Sequence, residues 1–170
     1  CLKQMQLFLD SGTQSRVFIL YGLRRTGKTT LIQQAITSFN QSQFEKTVFI
    51  QISPEDTLSA VNHDMKILLE QGYKYVFIDE VTLISDFIDS AAILSDIYSA
   101  MGMKIVLSGT DSLGFWLAVH EELYDRAVMV HTTYIPFSEH SRLLGINDVD
   151  EYIRYGGTLK AGVWDFENKE

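Results

Sequence analysis

Apolar residues along the chain fall into short, nearly unbroken runs separated by segments whose apolar positions recur every three to four residues. Runs at 17–21, 47–52, 73–78, 104–107 and 127–132 are rich in β-branched and aromatic residues and predict five strands. Leu2, Met5, Leu7, Phe8 and Leu9 predict a short opening helix, followed by a turn at Ser11-Gly12. A second helix is predicted from near Lys28 to about Phe39, and the polar stretch 40–43 reads as a loop. The stretch 53–57 carries helix-start signals, and Leu58, Val61, Met65, Leu68 and Leu69 then share one helical face up to a stop at Gly72. Ser85-Asp86 opens a further helix to about Ala100, residues 112–120 another, and 138–155 reads as two helical pieces. Strands that are apolar on both faces and alternate with helices predict an α/β fold, a mainly parallel sheet covered on both sides.

Composition adds bounds. At 170 residues, with 46% hydrophobic and 21% charged, the chain suffices for one domain with a real core. That domain is expected over residues 1–158, with 159–170 as a tail or the start of a further element. No apolar run approaches the roughly 18 residues that span a bilayer, so no membrane partner is expected. A single cysteine, Cys1, excludes an internal disulfide and suits a cytoplasmic setting. Beginning at Cys1 rather than Met fits an excerpt of a longer protein. The net charge of −8 disfavours nucleic acid as a partner of this segment, since a duplex binder carries a basic footprint.

Chemistry concentrates where the first strand ends. Residues 17–32 read VFILYGLRRTGKTTLI and fit G-x-x-x-x-G-K-[ST], with a strand before the loop and a helix after it. This is a phosphate-binding loop, or Walker A motif. Glycines let successive backbone N–H groups face a phosphate, and the helix adds its positive end to the same point. The candidate nucleotide contacts are Gly22, Leu23, Arg24, Arg25, Thr26, Gly27, Lys28, Thr29 and Thr30. Lys28 is expected on the β- and γ-phosphates and the Thr29 hydroxyl on Mg²⁺.

A second constellation, Tyr75-Val76-Phe77-Ile78-Asp79-Glu80, is an apolar strand ending in two carboxylates. About fifty residues after such a loop it reads as a Walker B segment, with Asp79 holding Mg²⁺ and Glu80 orienting and deprotonating water. The fourth strand ends Ser108-Gly109-Thr110-Asp111. Ser108, then Thr110, are candidates to sense the γ-phosphate; the competing reading is a strand-ending turn that caps the next helix. Arg126 is a candidate arginine finger, in cis or from a neighbour, against a surface arginine paired with Asp125 or Glu122. Histidines 63, 120, 131 and 140 lack metal-ligand spacing, so no zinc site is expected.

Taken in order, GLRRTGKTT, YVFIDEV, KIVLSGTDSL, LYDR, YIPFSE and YIRYGGT resemble the archaeal-type ATPase family of the AAA class over residues 15–158. The resemblance implies a P-loop three-layer α/β/α fold with strand order 5-1-4-3-2, ATP and Mg²⁺ as ligands, and ATP hydrolysis. It implies roles for Gly22, Arg25, Gly27, Lys28 and Thr29 at the nucleotide, Asp79 and Glu80 at metal and water, Ser108 as strand-end sensor and Arg126 as the arginine after the small helix. Asp125 stands where the family has Gly, Val81-Thr82 replaces Ile-Gln, and Leu159 replaces Pro. Relatives usually continue into a helical lid, so further domains of the same protein or a homo-oligomer are the implied partners. Three readings follow: an ATPase domain, a nucleotide-gated binding module with little turnover, and a P-loop kinase. Asp79-Glu80 favours water as acceptor and sets the kinase last.

Overall fold

A computed structural model describes residues 1–12, 16–84, 87, 93–112, 126–145, 147–155 and 157–158. The elements are α1 (Leu2–Asp10), β1 (Val17–Gly22), α2 (Lys28–Thr37), α3 (Gln41–Phe44), β2 (Thr47–Gln51), α4 (Leu58–Glu70), β3 (Tyr75–Asp79), β4 (Lys104–Gly109), β5 (Ala127–Thr132), α5 (Phe137–Leu144) and α6 (Val149–Tyr155). A 3₁₀ turn at Val81–Leu83 and a π-helical turn at Leu94–Ser99 complete the described elements.

The five strands form one sheet in the order β2-β3-β4-β1-β5, every neighbour parallel. This is the expected 5-1-4-3-2 order read from the other edge. Because side chains alternate along each strand, the sheet has two apolar faces and a separate cluster on each. Phe18, Leu20, Phe77, Val106 and Val130 pack under α1 and α2, against Met5, Phe8, Ile32 and Ala35. Val17, Ile19, Val76, Ile78, Ile105 and Leu107 pack under α4 and the π-helical turn, against Val61, Met65, Leu94 and Tyr98. The three layers are those of a P-loop α/β/α domain.

Two local readings need correction. Residues 40–43 are not a loop: Asn40 accepts from the Gln43 N–H while the Gln43 side chain accepts from the Asn40 N–H, a reciprocal cap that starts α3. Residues 94–99, expected as ordinary helix, are wound wider, with the Ala100 N–H reaching the Ser95 carbonyl. There the buried Ser99 hydroxyl donates to the Arg16 carbonyl at 2.6 Å and accepts from the Arg16 N–H at 3.0 Å. The helix predicted over 112–120 and the tail 159–170 lie outside the described residues, apart from Ser112. Among the described residues no helix is long and apolar enough to cross a membrane.

Candidate functional site

Parallel strands all end on the same edge, and the residues at the ends of β1, β3, β4 and β5 meet there. β1 runs into the loop at Gly22, and α2 leaves it at Lys28 with Gly27 as its N-cap at φ 84°. Gly22 sits at φ +153°, and a Cβ on it would stand 2.2 Å from both the carbonyl and hydroxyl oxygens of Thr132. No other residue fits between the loop and β5. Arg25, at φ 66°, turns the loop back toward the helix.

Lys28 is buried, and its ammonium donates to the Gly22 carbonyl at 2.9 Å and the Leu23 carbonyl at 2.7 Å. Burial lowers its pKa from 10.5, opposed by the charges of Glu80, Asp79 and Asp111 and assisted by Arg24. The ammonium thus lies inside the loop with carboxylates within electrostatic reach. The Thr29 hydroxyl donates to Asp79 Oδ2 at 2.6 Å, joining the first turn of α2 to the end of β3. On its other oxygen, Asp79 accepts from the Ser108 hydroxyl and, at 3.1 Å, from the Glu80 N–H. Asp79 and Ser108 are both buried.

Glu80 follows in the left-handed region at φ 61°, where a residue with a Cβ stores strain. This conformation ends β3 sharply and starts the 3₁₀ turn. The Thr110 hydroxyl lies 2.7 Å from the Ser112 hydroxyl and 3.4 Å from that of Thr82.

Lys28, Thr29, Asp79, Glu80 and Ser108 are therefore brought together. Arg126 is not. It precedes β5 at the opposite edge, where its carbonyl accepts from Val17 N–H and its guanidinium pairs with Asp96 at 3.2 Å. β1 is six residues long, so at about 3.3 Å per residue the two edges are about 17 Å apart. The cis role for Arg126 is corrected: within one chain it cannot reach the loop.

A cavity of about 540 Å³ adjoins the loop. Thr26, Thr30, Leu31 and Gln34 line one side, the segment after β5 (residues 133–136) the other, and Cys1 and Leu2 an end. Its size suits a base and sugar. Sequence reasoning found no contact for the opening helix and overlooked Thr132, whose hydroxyl lies 2.7 Å from that of Thr26. The signal was present: VMVHT ends in a polar residue just as the strands of Asp79 and Ser108 do.

The family model for an AAA domain, AAA_14, matches residues 14–141. The chain belongs to the AAA domain family. Its fold is also that of AAA proteins of known structure. The yeast (S. cerevisiae) Hsp104–ADP complex superposes with a TM-score of 0.60 at 16% identity, covering 85% of this chain and 23% of that one. C. elegans PCH-2 superposes at 0.57 and 16% identity, covering 91% of this chain and 46% of that one. The chain thus spans less than half the length of either neighbour. No curated protein matches it by sequence.

Proposed function

We propose that this AAA domain binds ATP with Mg²⁺ at the carboxyl edge of its sheet and hydrolyses it. One observation carries the reading: Thr29 and Asp79, the two oxygen donors expected at a metal, stand 2.6 Å apart beside the Lys28 ammonium. Hard oxygens from a hydroxyl and a carboxylate suit Mg²⁺, which prefers few protein ligands and several waters. When bound, the ion would neutralise phosphate charge and orient the β- and γ-oxygens.

Lys28 exchanges the Gly22 and Leu23 carbonyls for phosphate oxygens, and the loop N–H groups hold the β-phosphate. Glu80 accepts a proton from water as its oxygen attacks the γ-phosphorus and the bond to the β,γ-bridging oxygen breaks. Ser108 and the Glu80 N–H fix the Asp79 carboxylate, so the metal-binding oxygen needs little reorganisation. The cavity between α2 and the segment after β5 would take the adenosine. Adenine over guanine rests on the family resemblance and on ADP in the Hsp104 neighbour.

The distance of Arg126 from the loop favours slow turnover by the isolated domain. A guanidinium from a second subunit would then complete the site, which keeps the nucleotide-gated switch as the second reading. On either reading the domain, residues 1–158, acts with further domains or copies in a cytoplasmic setting that supplies ATP and Mg²⁺. The test is Glu80→Gln. An ATPase binds ATP undiminished in this variant and loses phosphate release by at least about a hundredfold. Equal release from wild type and variant would remove Glu80 from the mechanism. Tight binding with no release from wild type would favour the switch.

A further inference from the structure

The Thr26 and Thr132 hydroxyls share three short oxygen contacts. That of Thr26 lies 2.8 Å from the Leu23 carbonyl and 2.7 Å from the Thr132 hydroxyl, which itself lies 3.2 Å from the Tyr21 carbonyl. Two hydroxyls own two protons, so only two of these three contacts can be hydrogen bonds at once. The Thr132–Tyr21 contact, at 3.2 Å, is the longest of the three, and the arrangement that keeps both shorter contacts has Thr26 donating to Leu23 and Thr132 donating to Thr26. Both threonines are buried, where a misplaced proton leaves an unsatisfied oxygen.

The Leu23 carbonyl is also one of the two that hold the Lys28 ammonium. When Lys28 turns toward a phosphate, Leu23 keeps the Thr26 proton and is never left bare. We propose that Thr132 is a positioning residue for the phosphate loop: acting through Thr26 on the Leu23 carbonyl, it holds the loop's shape while Lys28 is released. Thr132 is well placed for this, since β5 pairs with β1 up to the Gly22–Thr132 register and only a glycine fits opposite it. Beyond Thr132, the chain is anchored by Ile135, whose N–H donates to the Gly157 carbonyl at 2.7 Å and whose carbonyl accepts from the Tyr152 hydroxyl at 2.8 Å. The loop is thereby braced from β5 and from the packing of α6.

This inference deepens the nucleotide-site reading and rests on it, so its test has an arm that needs no nucleotide. Arg24 and Arg25 are exposed on the loop, and trypsin cleavage there reports loop opening in the nucleotide-free 170-residue chain. Thr132→Val should raise that cleavage about fivefold or more while far-UV circular dichroism stays unchanged, and Thr132→Ser should restore the wild-type rate. Thr26→Val should open the loop further, and the double variant should match Thr26→Val alone, because Thr132 acts through Thr26. With ATP and Mg²⁺, Thr132→Val should raise KM about tenfold with kcat within about twofold. Thr132→Val cleaved at the wild-type rate, or effects of the two substitutions that simply add, would overturn the clasp. Wild type that binds no ATP overturns the nucleotide site instead, and the cleavage arm then still decides the clasp.

Discussion

Thr29 and Asp79, fifty positions apart in the chain, are joined by a 2.6 Å hydrogen bond from hydroxyl to carboxylate. That bond ties the helix leaving the loop to the strand ending in two acids, and it brings the two expected metal donors together before any ion is bound. Thr29→Val should cancel the gain in ATP affinity that Mg²⁺ confers, about tenfold or more, while binding in EDTA stays near wild type. Thr29→Ser should retain the gain. Calorimetric titration with and without Mg²⁺ checks both.

Lys28 makes a pH prediction. Its folded pKa is lowered from 10.5, chiefly by burial, so the folded state binds its proton less tightly than the unfolded chain. At lower pH both states are charged and the burial penalty is fully present. As pH rises from the depressed folded pKa to 10.5, the unfolded chain holds more protons and stability rises. Tyr98 and Lys104 also have shifted alkaline titrations, so the comparison is with Lys28→Met. Urea unfolding between about pH 8 and 10.5 should show a gain in wild type relative to Lys28→Met.

Glu80 carries strain that glycine would relieve. At φ 61° an L residue costs about 1–2 kcal/mol relative to glycine. Glu80→Gly should leave thermal stability unchanged or raise it slightly, offset in part by glycine's entropy, while phosphate release is lost. A fall in stability of about 2 kcal/mol or more would mean that the side chain, not the backbone, is what the fold needs.

Gly22 stands in the opposite relation to its neighbour. A methyl group there would meet the backbone of Thr132 as well as its side chain, so no rotamer change makes room. Gly22→Ala should cost about 2–4 kcal/mol and loosen the β1–β5 pairing beside the loop. Thermal unfolding followed by calorimetry reads the first effect, and trypsin cleavage at Arg24 and Arg25 the second.

His140 tests the packing behind the site. It is fully buried on α5, edge-on to Tyr152 with ring centroids 5.2 Å apart, and neither ring nitrogen has a hydrogen-bond partner among the described residues. Replacing an unsatisfied polar ring with an apolar one of similar shape removes a desolvation cost of about 1–3 kcal/mol. His140→Phe should therefore be neutral or stabilising in a thermal melt, and a large loss would point to an unrecognised partner for the ring.

Much of this architecture was legible in the chain because one physical signal dominates each element. Apolar runs on both faces marked all five strands, including β5 at its observed bounds, and the glycine and carboxylate positions marked the edge where the site lies. Tyr152 and Gly157, noted only as motif letters, proved to brace the segment after β5, where a Cβ on Gly157 would crowd the Tyr152 hydroxyl at 2.8 Å. What escaped were pairings between distant polar residues. Thr26 in the loop and Thr132 at a strand end each carried a signal alone, but only the β1–β5 register brings them within a hydrogen bond. Arg126 was correctly read as leading into β5; the parallel strand direction, which puts it at the edge away from the loop, is what removes the cis role. The short α3 was hidden because its cap, Asn40 with Gln43, uses the residues that also make loops.

The proposed function requires the Lys28 loop and Asp79 to form a metal-dependent ATP site. Titrating ATP into the 170-residue chain in Mg²⁺, beside Lys28→Ala at matched folding by circular dichroism, tests it most directly. Saturable 1:1 binding by wild type that weakens in EDTA and disappears in Lys28→Ala is the predicted result. Binding by Lys28→Ala equal to wild type, or none by wild type, would contradict it.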